Sequence, residues 1–460
     1  MSQAPTFRLN RLSAALALAL LAASALPALA ARCVDEETFD TAPAATGNAP
    51  AAPDPRAQLA EMVREALARS NAVGAANLMA EAALSDIDEV RAQKAIQASV
   101  GGLLGPGASQ SGDTPTESAA LQARATVSVS QLLFDGGRVD RLTDWRTQLA
   151  ESARYGALSQ QEQIAATTVA LALERSRYRL QIQVYGQYAR KMGCLVEALE
   201  TIVRADRGRA SELVQAKKSL QQAELSMTQA QSQARQTDVR LRRFVGDGLP
   251  SIEGLASVLL TVPDVNVLED DVERSAEIAQ IGAQVSAAER YARSVEAGSK
   301  PQISWTFGGS KTAAGGGNVA AVSASRSSSV SLGIAINIPL LNPGVDASSE
   351  AARKRAQALV LQRADAVEAR RFRVAEVHEQ TLSAFDRARR TAAVLRDSEL
   401  VRNYTLQQWQ QLGRRSLFDV MAAESDHYNL RVSYVNAIHD GQQLNAILLS
   451  LGRGVTEWLR

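Results

Sequence analysis

Two periods of hydrophobic positions share this chain. From Val330 to Ile338 every second residue is apolar: Val330, Leu332, Ile334, Ile336 and Ile338 alternate with Ser331, Gly333, Ala335 and Asn337. Period two sends the two sets to opposite faces of a β-strand. Ile303, Trp305 and Phe307 interleave with Ser304 and Thr306, and Val127 and Val129 with Ser128 and Ser130. With Ile96–Gly102, four strands in two hairpins are predicted. Their connections, 103–123 and 310–328, are rich in Gly, Ser, Thr and Ala and are predicted as solvent-exposed loops. Elsewhere the period is helical. Leu142, Trp145 and Leu149, and later Phe385, Ala388, Ala392 and Leu395, recur at three- and four-residue steps. The Pro-free runs 139–204 and 345–411 predict two helices of roughly 100 Å each at 1.5 Å per residue. Helices of that length require coiled-coil-like partners.

The order of elements is written twice. Ile96–Gly102 is matched by Ile303–Gly309, Val127–Ser130 by Ile334–Asn337, and Leu133-Phe134-Asp135 by Leu340-Leu341-Asn342. Gly208-Arg209-Ala210-Ser211 is matched by Gly413-Arg414-Arg415-Ser416, all at a shift of about 206 residues. Landmarks in one order at one offset mark a tandem duplication. Each copy holds an entry helix, a strand pair, a very long helix, a Gly-Arg-x-Ser break and a return helix. The entry helix of the first copy is predicted from about Arg56 to Lys94.

A soluble helical rod accounts for the helices but leaves the strands with little to pack against. Nine alternating residues suit a tilted transmembrane strand, with the apolar side toward lipid and the small polar side toward a lumen. Four strands cannot close a barrel, because open edges are intolerable in lipid. The pattern therefore predicts an assembly; two, three or four copies would supply eight, twelve or sixteen strands.

The ends change the picture further. Arg8 and Arg11, the apolar run from Leu12 to Leu26 and the small-residue site ending at Ala30 form the pattern of a cleaved secretory signal. Its removal shifts the formal charge from +1 to −1, which gives no footing for nucleic acid. The expected organisation is a signal over 1–30, an extended tail over 31–55, a first repeat over 56–250, a linker over 251–268, a second repeat over 269–454 and a C-terminal end over 455–460. Three histidines, His378, His427 and His439, fall in helical segments without metal-ligand spacing, and no nucleotide or nucleophile motif is present. The expectation is no enzyme and no cofactor.

The duplicated strand–LFDGG–long-helix unit, the paired Gly-Arg-x-Ser breaks and the run GRRSLFDVMAAESDHYNLRVSYVNA resemble the TolC family of outer-membrane channel proteins over roughly residues 56–454. The resemblance implies a homotrimer. Its twelve-stranded β-barrel in outer-membrane lipid continues into a helical periplasmic tunnel, and each chain is mostly α with an internal repeat. It also implies partners: a periplasmic adaptor and an inner-membrane pump, either an ABC exporter in type I secretion or a resistance–nodulation–division pump in small-molecule efflux. Arg32 stands where a lipidation signal wants a small residue before Cys33, which leans the reading toward secretion of a protein. A soluble periplasmic coiled-coil adaptor is the competing class; it would need β-rich lipoyl-like segments and no lipid-facing strands.

In the family's arrangement both breaks are turns at the periplasmic tip, where the adaptor docks, so Gly208, Arg209, Ser211, Gly413, Arg414 and Ser416 are candidate contacts. The glycines are expected to free the backbone and Ser211 and Ser416 to cap the returning helices. Asp419 is expected either to form an acidic ring at the tunnel entrance or only to complete a capping box with Ser416; the family's second acid is here Ala422. Arg415 matches an arginine that ties neighbouring helices shut, although Gln410 stands where a tyrosine is expected. Finally, the two cysteines, Cys33 and Cys194, face an oxidising compartment as free thiols or as one disulfide. An extended tail from Cys33 is long enough to descend beside the tunnel wall to Cys194.

Overall fold

The computed structural model describes residues 54–108, 119–249, 254–315, 325–412 and 414–460. The first repeat runs α1 (Pro55–Arg69), α2 (Asn71–Arg91), β1 (Gln97–Ala108), β2 (Ala119–Phe134), α3 (Arg138–Ala205) and α4 (Ala210–Val245). The second runs α5 (Val265–Val272), α6 (Ala276–Glu296), β3 (Gln302–Gly315), β4 (Ser325–Asn337), α7 (Pro343–Leu412) and α8 (Leu417–Leu451), with α9 (Val455–Leu459) at the end.

α3 and α7 have 68 and 70 residues, about 100 Å each. No single core could serve such rods. Hydrophobic contacts are instead divided among clusters at successive levels, one of them joining α1, the middle of α3, the end of α4 and α9. The α4 contact stripe is built of small residues: Ala216, Ser219, Ala223, Ala230, Ala234 and Thr237 are buried at three-, four- and seven-residue steps. That spacing keeps one seam against a partner helix, and small side chains let the backbones approach closely.

The strands form one antiparallel sheet in the order β1-β2-β3-β4. They run further than the sequence predicts, through Ala108 and Gly315 and again from Ala119 and Ser325, so part of each expected loop is strand. Small residues there carry no period-two signal but satisfy their backbone groups in the ladder. The expected single entry helix is two. Ser70 is extended and its side chain accepts from Val73 N, capping α2. The expected linker is also part of the packed structure: Leu255, Val258 and Leu259 are buried, and α5 lies within it and beyond. Among the described residues no helix is long and apolar enough to cross a membrane.

Candidate functional site

The sheet separates its two faces by register. Val100, Val127, Gly309 and Val330 are directly paired across the four strands, and so are Ala98, Val129, Phe307 and Leu332. Trp305 pairs with Ile334, and Ile303 with Ile336. Directly paired residues share a face. Val127, Val129, Ile303, Trp305, Phe307, Val330, Leu332, Ile334 and Ile336 therefore lie together, as the alternation predicts. On the opposite face Ser99, Ser128, Gly308 and Ser331 form one row and Thr126, Ser310 and Ser329 another. The apolar face is open in a single chain: Leu332 is 76% exposed and Ile334 68%. One polar residue, Gln131, sits in an apolar row, and its Oε1 accepts from Trp305 Nε1 at 3.1 Å. Among the described residues β1 and β4 have no strand beyond them in the sheet.

The turn from strand to rod rests on Asp135. Its carboxylate is buried and accepts from Gly137 N at 3.0 Å and Val139 N at 2.7 Å. Gly136 and Gly137 have φ of 67° and 84°, a conformation that suits glycine. The LFDGG motif is thus a helix-start device that re-aims the chain from sheet to α3.

At the far end both helical hairpins meet in one hydrophobic cluster, with Val196, Leu199 and Ala216 from the first and Leu417, Val420 and Met421 from the second. The two turns differ. The Ser416 side chain accepts from Phe418 N at 3.0 Å, and the Asp419 carboxylate accepts from Ser416 N at 3.2 Å, completing the expected capping box. In the first turn Ser211 is not the cap, since α4 begins one residue earlier, at Ala210. Asp206 caps the short turn Arg207–Arg209 that precedes α4, accepting from Gly208 N at 2.9 Å, and α4 itself starts without a side-chain cap. Gly208 is not in the left-handed region; it lies where an added Cβ would come within 3.1 Å of the Asp206 carboxylate. Gly413 lies outside the described residues.

Arg415 Nε donates to Gln408 Oε1 at 3.2 Å, and its guanidinium is 3.9 Å from Asp419, with both side chains about half exposed. Such a pair contributes at most about 1 kcal/mol. Arg209 lies 4.0 Å from both Asp206 and Glu212, and Arg414 N donates to Gln408 O. The tip therefore offers guanidinium groups held loosely by their own chain.

Between sheet and tip, α3 and α8 run antiparallel with polar side chains between them. Arg177 donates to Asn436 at 2.9 Å and to Asp440 at 3.0 Å, and the rings of Tyr188 and Tyr428 are 4.9 Å apart. Lower down, Glu424 is 1% exposed. It lies 3.8 Å from Lys191 of α3 and 4.0 Å from Arg402 of α7. The Arg431 guanidinium sits over Tyr428 at 5.2 Å. These charges were not singled out from sequence, where a lone charge in a helix reads as a solvated face. Cys194 is on this part of α3 and is not a free thiol; Cys33 lies outside the described residues. No group of His, Cys, Asp or Glu among the described residues could hold a metal ion.

No family model matches the chain, and no curated protein matches it. Solved structures do. The fold is that of the TolC-like outer-membrane channels. A membrane protein from Pseudomonas aeruginosa superposes with a TM-score of 0.75 at 17% identity, over 90% of this chain and 97% of that one. CusC, described through its transmembrane channel formation, gives 0.74 at 18% identity over 86% and 92% of the two chains. The outer membrane protein VceC of Vibrio cholerae gives 0.71 at 19% identity over 86% and 97%.

Proposed function

We propose that this chain is the outer-membrane duct of a tripartite export system. Three copies supply twelve strands to one barrel, and their helices continue as a tunnel through the periplasm. The observation that carries the reading is the sheet. It has one exposed apolar face, one face of Ser, Thr and Gly, and two unpaired edges, all at one end of rods about 100 Å long. Lipid on the apolar face and other copies on the edges account for all three. A transporter of this form has no need of a catalytic centre, and the chain offers no motif for one.

Arg209 and Arg414, at the end opposite the sheet, are the residues assigned to the adaptor. The cargo is read as a polypeptide, exported by an ABC-type pump, because Arg32 removes the lipidation signal at Cys33. Membrane fractionation tests the class. A detergent-requiring trimer that dissociates on heating and conducts ions in planar bilayers is expected; recovery as a soluble periplasmic protein would reject it. Cross-linking from Arg209→Cys or Arg414→Cys, followed by identification of the co-purified pump, tests the cargo. Capture of a resistance–nodulation–division pump would replace protein secretion with small-molecule efflux.

A further inference from the structure

The ionisable residues of the four strands are Arg124, Lys311 and Arg326; no Asp or Glu lies in them. Register separates these cations. Arg124 pairs with Thr312 on the Ser/Thr face, and its Nε donates to Thr312 Oγ1 at 3.3 Å. Lys311 pairs with Ala125 and Ser328, and Arg326 pairs with Ala313, one row further from the rods. Counting in twos from Phe307 and Leu332 puts Lys311, Ser328 and Arg326 on the apolar face. Both cations are exposed, and among the described residues neither meets a carboxylate.

Their height is that of a membrane boundary. Lys311 and Ala313 lie eight and ten residues beyond Ile303, the first apolar residue of β3. At about 3.4 Å per residue and a tilt near 40°, those steps rise roughly 21 and 26 Å along the membrane normal. An apolar band about 25 Å tall therefore ends between Lys311 and Arg326. These rows point away from the rods, so the boundary is the external one. The aromatic residues of the strands, Phe134, Trp305 and Phe307, all lie in the half nearer the rods. At the outer boundary cations stand where an aromatic girdle is usual.

Lys311 and Arg326 are diagonal neighbours on adjacent strands, about 7–8 Å apart. Like charges that close repel, and one anion between them turns the repulsion into attraction. We propose that Lys311, Arg326 and the Ser328 hydroxyl clamp a phosphate of lipopolysaccharide in the outer leaflet. The charge count selects this lipid. A phosphate monoester on a glycolipid carries close to two negative charges and matches the two cations, whereas a phospholipid diester carries about one. The Arg326 guanidinium suits two phosphate oxygens at once, and the Lys311 ammonium acts as a point charge beside them. Three copies would ring the barrel with three such clamps, tying lipid to the sheet just above the apolar band. The inference rests on the reading of this sheet as part of an outer-membrane barrel.

The test uses the full mature chain purified in detergent, with three probes: lipopolysaccharide, the same lipid stripped of its phosphates, and phosphatidylglycerol. Native mass spectrometry measures binding, and planar bilayers record conductance of the same samples. The unaltered chain is expected to bind intact lipopolysaccharide at least tenfold more tightly than either other lipid. Lys311→Gln combined with Arg326→Gln should abolish that preference. Arg124→Gln, which removes a cation from the opposite face, should keep it, and so should Lys311→Arg. Equal affinity for the three lipids, or a preference that survives in the double variant, overturns the clamp. If the double variant does not assemble, each single Gln variant is expected to lose at least threefold of the preference, and no loss in either overturns the clamp. A chain that conducts ions without the preference loses only the clamp. One recovered as a soluble, non-conducting protein loses the channel reading, and the clamp with it.

Discussion

Asp419 closes the capping box of α8, and in the trimeric reading three copies of it meet at the narrow end of the tunnel. Asp419→Asn keeps a polar cap and removes the charge. It is expected to weaken block by multivalent cations in planar bilayers; unchanged block would leave Asp419 as a helix cap alone. His439 makes a second prediction. It is fully buried, its Nδ1 lies 2.8 Å from Val435 O and its Nε2 3.3 Å from Ser176 Oγ. Burial lowers its pKa to about 4. The unfolded chain, with an ordinary histidine near 6.5, binds the proton more readily, so the stability due to His439 is complete above about pH 6.5 and is lost as pH falls toward 4. The loss is on the order of 3 kcal/mol per chain. Denaturation midpoints should fall over that window, and His439→Gln should flatten the fall. Some of this chemistry was legible in the sequence. Ser416-x-x-Asp419 is a cap by spacing alone, whereas the first turn offers Ser211 by the same spacing and the backbone path places it inside α4, with Asp206 capping the short turn before it.

At the scale of elements, period and proline content locate the long helices to within two residues, because a rod that packs along its whole length must keep its stripe throughout. The strand ends and the linker were less visible. Their residues are small or irregular, and they are held by partners distant in sequence. Gln442 Nε2 donates to Leu255 O at 2.9 Å and Val258 O at 2.7 Å; Asn445 Nδ2 donates to Leu259 O at 2.7 Å and Thr261 O at 2.9 Å. Two side-chain amides on α8 thus satisfy the carbonyls of the chain that joins the repeats. Replacing Asn445 with Leu leaves buried carbonyls unsatisfied, a cost of roughly 1–3 kcal/mol. Limited proteolysis is expected to cut within residues 254–264 in that variant and to spare them in the unaltered chain. Equal resistance would show that the amide is dispensable.

For the whole molecule, the two faces of the sheet make opposite predictions. Leu332→Arg places a charge on the face assigned to lipid and is expected to cost roughly 2–4 kcal/mol near the bilayer midplane, reducing assembly in membranes. Ser331→Arg, one residue away, points to the other face and is expected to leave assembly intact while shifting conductance toward anions. If both variants assemble equally well, the apolar face does not meet lipid. The sequence carried this face pattern plainly. It did not show that charges scattered over three helices gather around Glu424, because that requires knowing which helix lies against which.

The ends of the described chain are also neighbours. Arg56 donates to the Trp458 carbonyl, and its guanidinium lies 5.1 Å from the Trp458 ring. In the sheet, β2 meets β3 as the second strand of one repeat meeting the first strand of the next. The joint between β4 of one copy and β1 of another would be of the same kind. In the proposed ring of three copies, where the polypeptide starts would be nearly arbitrary: there would be six like seams, three bridged by covalent linkers and three by contact. A circular permutant joined from Arg460 to Asp54 and opened between the repeats should close the same barrel from a different starting point.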